Sequence, residues 1–402
     1  MKAEKRMKAK SAKRNMVIAQ SGGPSMVINQ SLVGAVMAAR GSESIGRIYG
    51  AVHGIDGILS EQFVDLRKIP AKHLEAVAAT PSSALGSVRR KPTEEDCLKI
   101  FEVLRKRGIG YFCYIGGNDT AETVHIVDTV AKRSGADLRC FHIPKTIDND
   151  LRQNDHTPGF GSAARFVALA FMGDNLDNLA LGGVKINIVM GRHAGFLTAA
   201  SALGRRHPDD GPHLIYLPER PFDMARFAAD VKGVMDKLGR CVVAVSEGIC
   251  DAAGAPILSG GEKDSHGNVQ LSGTGALGDL LAREIKARLG IKRVRADTFG
   301  YLQRSFPTVA SEADSLEALG AGMAAVQNAT SGKVRSASIA IVRRPGRKYA
   351  VEFTCVPLRS VAKNTRHVPS SFINKAGNDV TRAFLDYAAP LVGDLPRMGR
   401  LI

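Results

Sequence analysis

The chain has 402 residues, 44% of them hydrophobic, which is enough for two α/β domains sharing a cleft and for a well-buried core. No apolar run reaches the roughly 18 residues of a membrane span, and the first fifteen residues, with seven Lys/Arg against one Glu and no apolar centre, argue against a secretory signal. A net charge of +16 suits anionic substrates, while 5% aromatic content and no Trp leave little on which nucleic-acid bases could stack.

The basic stretch 1–15 reads as a solvated flexible tail, with weak nucleic-acid or membrane-surface contact as its second reading. Beyond it, short apolar runs alternate with helical patterns, the signature of parallel α/β sheets. Met16–Gln20 predicts the first strand and Met26–Arg40 the helix after it. Between them SGGPSM sets Gly22 and Gly23 ahead of a helix whose N-terminal N–H groups favour an anion; a Gly-Gly turn also serves structure alone. Tyr111–Ile115 and Thr120–Lys132 form the next strand and helix, with Val124, Val127 and Val130 at helical spacing. Their joining loop, GGNDT, has the same form, with Asp119 or Thr120 able to cap the helix as the plainer alternative.

After the strand Arg139–Pro144, the stretch PKTIDND (Pro144–Asp150) gathers two carboxylates, a carboxamide, a hydroxyl and a lysine. A surface turn explains Asp and Asn, but not their clustering beside Lys145 at a strand end. A general base held by its neighbours, with a second carboxylate for metal or phosphate, explains it. The strand Val184–Met190 leads into MGRHAG, where Arg192 on a glycine-flanked turn suits a developing phosphoryl charge and His193 is either a cap or a catalyst. The helix His193–Leu203, the strand His213–Pro218, the helix Asp223–Leu238 and the strand Cys241–Ser246 follow, the last running into Glu247.

A helix is predicted over Gly275–Leu289. FGYLQRS (Phe299–Ser305) then places Tyr301, Gln303 and Arg304 at another strand end, suited to a sugar phosphate or to a rim ion pair. The helix Ser311–Gln327 and the strand Ser336–Val342 complete the pattern. Polar loops thus recur at strand ends, and parallel sheets bind ligands along the edge those ends share. No HExxH, GxxxxGK[ST] or GxSxG occurs. The scattered Cys97, Cys113, Cys140, Cys241, Cys250 and Cys355 read as reduced residues of a cytoplasmic protein.

Taken in order, PKTIDND, MGRHAG and YLQR resemble the 6-phosphofructokinase family, and the match runs from Val17 to about Arg343. The resemblance implies an α/β fold of two Rossmann-like three-layer domains with the active site in the cleft between them. Residues 16–152 plus about 303–345 would bind the phosphoryl donor, 153–302 the sugar phosphate, and 346–402 would pack on both as an extension. It implies that Asp148 takes the 1-hydroxyl proton of fructose 6-phosphate, with Thr146 and Ile147 beside it. Met190, Gly191 and Arg192 would contact the sugar and the transferring phosphoryl, and Glu247 the ring hydroxyls. Arg295, Tyr301 and Arg304, with Leu302 and Gln303 in the same stretch, would hold the 6-phosphate end, while Gly23 would offer its N–H to the donor. Arg295 falls where family sites are completed by a neighbouring subunit, which implies a homo-oligomer, a dimer before a tetramer; Lys185 stands near the other such position without matching the motif.

Family members that use ATP look like GGDGS and PGTIDND in these loops. Here Asp119 and Lys145 replace glycines, the family's marks of pyrophosphate dependence. An aspartate fills the space a nucleotide would pass through and repels its α-phosphate. Two like charges ~4 Å apart cost about 4 kcal/mol at an effective dielectric of 20, roughly a thousandfold in affinity. Lys145 would bind pyrophosphate as a point charge and pair with Asp119. The resemblance therefore implies reversible phosphoryl transfer from pyrophosphate to fructose 6-phosphate, a step of glycolysis and gluconeogenesis, with an ATP-dependent 6-phosphofructokinase as the alternative. Mg²⁺ is the implied cofactor, with Asn118 where the family has an acidic ligand and Asp150 as a second candidate.

Overall fold

A computed structural model describes residues 13–258, 274–362 and 365–401. The expected basic tail lies outside them up to residue 12, and Arg14 and Asn15 already belong to the first strand. In chain order the first elements are β1 (Arg14–Gln20), α1 (Ile28–Gly41), β2 (Ile45–Ala51), α2 (Gly54–Leu59), β3 (Phe63–Asp65), α3 (Ala71–Ala78), α4 (Glu94–Lys106), β4 (Ile109–Gly116), α5 (Asn118–Arg133) and β5 (Arg139–Pro144). There follow α6 (Phe160–Leu181), β6 (Gly183–Val189), α7 (Phe196–Ala200), β7 (Leu214–Tyr216), α8 (Met224–Leu238), β8 (Arg240–Ser246), α9 (Ala276–Leu289) and β9 (Val294–Thr298). The last are α10 (Leu302–Ser305), α11 (Glu312–Ser331), β10 (Ala337–Arg343), β11 (Val351–Val356), α12 (Leu358–Val361) and α13 (Arg382–Val392).

These strands make two sheets, one of seven strands ordered β11-β10-β5-β4-β1-β2-β3 and one of four ordered β7-β8-β6-β9. Only the β10–β11 and β2–β3 pairings are antiparallel. Side chains alternate across each strand, and both faces are covered. On β1, Met16 and Ile18 join the core with α1 and α11, while Val17 and Ala19 join the core with α4 and α5. On β8, Cys241, Val243 and Val245 face α8 and α9, while Val242 and Ala244 face α6 and α7. Burial on both faces is why these strands read as unbroken apolar runs.

Register carries the strand-end loops to shared edges. Gln20 pairs with Ile115 and Gly116 with Pro144, so the loops after β1, β4 and β5 leave the large sheet side by side. Val189 pairs with Ser246 and Ile188 with Thr298, which does the same for the loops after β6, β8 and β9.

Several expected boundaries shift. The helix expected over His193–Leu203 shrinks to α7 plus a 3₁₀ turn over Ser201–Gly204, because Gly191 at φ 127 opens an irregular turn. The strand His213–Pro218 shortens to β7. The chain beyond residue 346 is partly sheet: β11 pairs along β10 at the edge, while α13 packs on α6.

Helices α1 and α11 pack through two glycines facing each other's backbone. A Cβ on Gly34 would stand 2.0 Å from the Leu319 carbonyl oxygen, and one on Gly322 would stand 2.1 Å from that of Ser31. Gly34→Ala is therefore expected to lower unfolding free energy by about 1–3 kcal/mol, seen as a lower urea midpoint. Gly41→Ala, at the end of the same helix with nothing within 4 Å of its Cβ position, should leave the midpoint unchanged or slightly higher.

Candidate active site

The two sheet edges meet at a cavity of about 280 Å³. It is lined by the loop Ser21–Pro24 after β1, the start of α5, the turn after β5, Met190 after β6 and Arg304 of α10. Of the residues expected from the sequence, Gly23, Asn118, Asp119, Lys145, Thr146, Ile147, Asp148, Asp150, Met190 and Arg304 come together here.

Lys145 is the centre of the arrangement. Only 3% of it is exposed, and its Nζ donates to the Gly23 carbonyl at 2.6 Å, tying the turn after β5 to the loop after β1. Its backbone N–H donates to the Gly116 carbonyl at 2.9 Å, an oxygen shared with His142 Nε2 at 2.9 Å. Burial holds His142 neutral, its pKa lowered to about 4, so this inner clamp carries no charge. Gly116 must lack a side chain, because a Cβ there would lie 2.0 Å from Thr120 Oγ1. The helix cap expected from Asp119 or Thr120 is not made; α5 begins after Gly117 without a side-chain cap.

Burial lowers the pKa of Lys145 to about 7, with the Arg304 charge adding to the effect and Asp148 opposing it. Burial raises the pKa of Asp148, against the attraction of Lys145, Arg304, Arg192 and Arg89. Asp150 is raised to about 7 by burial and by the neighbouring Asp148. A carboxylate pushed up and an amine pulled down are what burial and opposed charges produce in reactive sites.

The pairing expected between Asp119 and Lys145 does not form. Asp119 is exposed on the cavity wall, whereas the Lys145 amine turns inward to Gly23. Arg304 lies close to the loop after β1. Its guanidinium lies over the Tyr301 ring, 4.5 Å from the centroid, and a Cβ on Gly23 would stand 2.7 Å from its Nη1. Gln303 has no exposed surface; its Oε1 accepts from the Met190 N–H at 3.3 Å and its Nε2 donates to the Gly300 carbonyl at 2.9 Å. Its amide joins the turn after β6 to the loop after β9.

Glu247, 7% exposed, accepts from the Gly191 N–H at 3.4 Å, and Ser246 Oγ donates to the Gly191 carbonyl at 2.8 Å. The turn bearing Arg192 is thus pinned by the turn after β8. Arg192 acts on Asp148 through its charge without lining the cavity. Tyr301 and Leu302 are exposed, and Arg295 is exposed on edge strand β9. Lys185 pairs with Asp297 and, at 3.8 Å, with Asp174.

Sequence reasoning passed over the loop Ser87–Lys91, whose Val88, Arg89, Arg90 and Lys91 also line the cavity. Ser87 Oγ donates to the Gly22 carbonyl at 2.6 Å, which docks this loop on the one after β1. Arg90 pairs with Asp56 at 2.8 Å and Asp96 at 2.7 Å, and Lys91 with Glu122 at 2.7 Å. The charge of Arg89 reaches Lys145, Asp148 and Arg304. Three consecutive basic residues ending at Pro92 were the available signal, but no strand precedes them.

The donor set for a hard cation is small. Asn118 Nδ2 donates to Asp150 Oδ2 at 2.7 Å, and its Oδ1 is buried with no hydrogen-bond partner. Among the described residues no cluster of three His, Cys, Asp or Glu side chains is arranged to hold a metal. One carboxylate and one orphaned carbonyl oxygen fit Mg²⁺, which keeps most of its shell as water and substrate phosphate. Among the described residues no helix is long and apolar enough to cross a membrane.

A Rossmann-like pair of sheets, a basic cavity at their facing strand ends and a buried carboxylate among cations define a phosphoryl-transfer site of the kind phosphofructokinases carry. The phosphofructokinase family model matches residues 15–329, and the chain belongs to that family. It is 57% identical to a pyrophosphate–fructose 6-phosphate 1-phosphotransferase of Rhodospirillum rubrum over 95% of both chains. To a protein of the same name from Xanthomonas campestris it is 40% identical, over 95% of this chain and 92% of that one. The crystal structure of a pyrophosphate-dependent phosphofructokinase from Marinobacter aquaeolei superposes with a TM-score of 0.85 at 32% identity, covering 96% of this chain and 94% of that one.

The electrostatics of Lys145 set a pH dependence. The amine is cationic below about 7 and neutral above it. Above that point each further pH unit costs up to about tenfold in anion affinity through this group. Lys145→Arg remains charged throughout. In calorimetric titrations with pyrophosphate, the ratio of wild-type to Lys145→Arg affinity is expected to fall between pH 6.5 and 9; a constant ratio would show that the amine does not titrate there.

Proposed function

We propose that this protein transfers a phosphoryl group reversibly from pyrophosphate to the 1-hydroxyl of fructose 6-phosphate, giving fructose 1,6-bisphosphate and phosphate. The observation that carries the reading is Lys145 Nζ, held 2.6 Å from the Gly23 carbonyl inside a cavity of about 280 Å³. A buried cation there occupies ground that a glycine would leave open for a nucleotide. Relatives matched over nearly the whole chain bear the same activity in their names.

In this reading Asp148 accepts the O1 proton, its basicity raised by burial. O1 then attacks the nearer phosphorus of pyrophosphate in line, and phosphate leaves. Lys145, Arg89 and Arg304 surround the reacting charge, and Arg192 steadies it from the turn after β6. Phosphoryl transfer depends mainly on positioning and charge neutralisation, which this set supplies. Mg²⁺ would be held by Asp150 and Asn118 together with the substrate phosphates and would neutralise their charge.

Asp119 discriminates by charge from an exposed position. Its repulsion of a nucleotide's α-phosphate ~4 Å away lies between about 1 kcal/mol in water and about 4 kcal/mol at an effective dielectric of 20. That is roughly 5- to 1,000-fold in affinity. The closed space around Lys145 carries the remainder of the discrimination. The large-sheet loops take the donor and the small-sheet loops take the sugar phosphate, with β11 and α13 bracing both. Arg295, exposed on an edge strand, suits a role toward a second copy in a homo-oligomer. Six free cysteines suit the cytoplasm.

Asp119→Gly combined with Lys145→Gly is expected to gain turnover with ATP and to lose much of it with pyrophosphate, measured with fructose 6-phosphate and Mg²⁺. Failure to gain any ATP turnover would remove these residues from donor choice. Asp148→Ala should lower kcat by about 10²–10⁴, the usual range for a general base, with sugar affinity changed much less. Near-normal turnover in that variant would reject Asp148 as the base.

A further inference from the structure

Two turns carry the groups that the proposed reaction needs, and they leave different sheets. Thr146–Asp150 follows β5 of the large sheet, and Met190–Gly195 follows β6 of the small one. A short stretch from late in the chain, Thr365–Val368, touches both. On the first side, the backbone N–H of Arg366 donates to the Asp150 carbonyl at 2.7 Å, and Thr365 bridges to Leu151. Arg366 Nη1 also donates to the carbonyls of Asn154, at 3.0 Å, and of Asp155. On the second side, His367 Nδ1 donates to the His193 carbonyl at 2.8 Å. The N–H groups of Val368 and Gly195 both donate to Glu219 Oε1, at 2.9 and 3.0 Å. The Arg366 guanidinium sits 4.8 Å from the ring centroid of Phe196, the first residue of α7.

A second tie reaches the middle of the Asp148 turn from behind. Asn149 has no exposed surface and a left-handed φ of 58, a conformation that costs a non-glycine residue energy unless its surroundings enforce it. They do so through its side chain. Asn149 Nδ2 donates to Tyr387 Oη at 2.8 Å, and Asn149 Oδ1 accepts from the Thr157 N–H at 3.1 Å. Tyr387 Oη in turn donates to the Asp155 carbonyl at 2.7 Å. One hydroxyl on α13 therefore joins the centre of the turn to Asp155, in the chain that follows it.

We propose that Arg366 and Tyr387 are positioning residues that hold the Asp148 turn in register with the Arg192 turn. Neither touches the cavity, and both lie beyond residue 329, where the family match ends. The inference rests on the reading of Asp148 as the base. A misplacement on the order of 1 Å at reacting groups costs roughly a hundredfold in rate, so loosening the strap should lower turnover more than substrate affinity.

The test is Tyr387→Phe, which keeps the ring and removes one oxygen. A kcat reduced about 10- to 100-fold is expected, with KM for pyrophosphate and fructose 6-phosphate within about threefold and a thermal midpoint only a few degrees lower. Arg382→Ala, which removes an exposed pair with Asp386 on the same helix, should leave kcat unchanged. If Tyr387 acts through Asn149, the Asn149→Ser/Tyr387→Phe double variant is no slower than Asn149→Ser alone. Wild-type kcat in Tyr387→Phe, or losses that multiply in the double variant, would overturn the proposal. Should Tyr387→Phe not fold, Arg366→Lys is read by the same kcat and KM criteria. An Asp148→Ala variant that keeps its turnover would reject the base reading instead; an inactive Asp148→Ala beside an unimpaired Tyr387→Phe would reject the strap alone.

Discussion

The site depends on a buried ammonium group. Lys145 is almost fully removed from water, with a carbonyl 2.6 Å away and the carboxylate of Asp148 acting on it, but with the charges of Arg304 and Arg89 opposed to its own. Its pKa falls from 10.5 to about 7, which means about 5 kcal/mol disfavours the charged form. A compact polyanion entering the cavity removes that penalty for Lys145 and for its cationic neighbours together. The same crowding that disfavours a cation in the cavity makes it selective for dense negative charge in a small volume.

The fold supplies this crowding without local distortion of the sheets. Parallel register brings three loop-bearing strand ends of one sheet and three of the other to facing edges, and short tethers lock the loops to one another. Gly116 and Gly23 keep space for Thr120 and Arg304, and neutral His142 fixes the strand end beneath Lys145. Helix α6 lies between the layers, contacting β6, β8 and α13. Asp314 caps its start by accepting from the Gly159 and Ser162 N–H groups at 2.8 Å each.

Much of this was legible in the residues. The β1, β4, β5, β6, β8 and β10 strands are apolar runs closed by Gly-rich or charged loops, and the loops after β1, β4, β5 and β6 named most of the cavity's lining. What stayed hidden has physical causes. Phe160–Leu181 shows no 3.6-residue periodicity because its outer face is apolar too: Leu176, Leu179 and Leu181 are exposed while Phe171, Asn175 and Asn178 are buried. β9 alternates charged residues with others at an exposed edge and resembles a loop. Arg89 reaches the cavity from a loop with no strand before it, and Gln303, inside a motif that suggests contact with substrate, spends its amide on two backbone groups. Charge pairing was the least readable feature: Asp119 and Lys145 are complementary in sequence, yet one faces solvent and the other faces Gly23.

Donor choice by the unaltered enzyme tests the central claim most directly. Initial rates with fructose 6-phosphate and Mg²⁺ should be compared with pyrophosphate and with ATP as the only phosphoryl donor, each titrated to saturation. The account predicts turnover with pyrophosphate and none above background with ATP. Comparable or preferred use of ATP would contradict it, because a nucleotide would then fit a cavity that Lys145 and Asp119 are held to close.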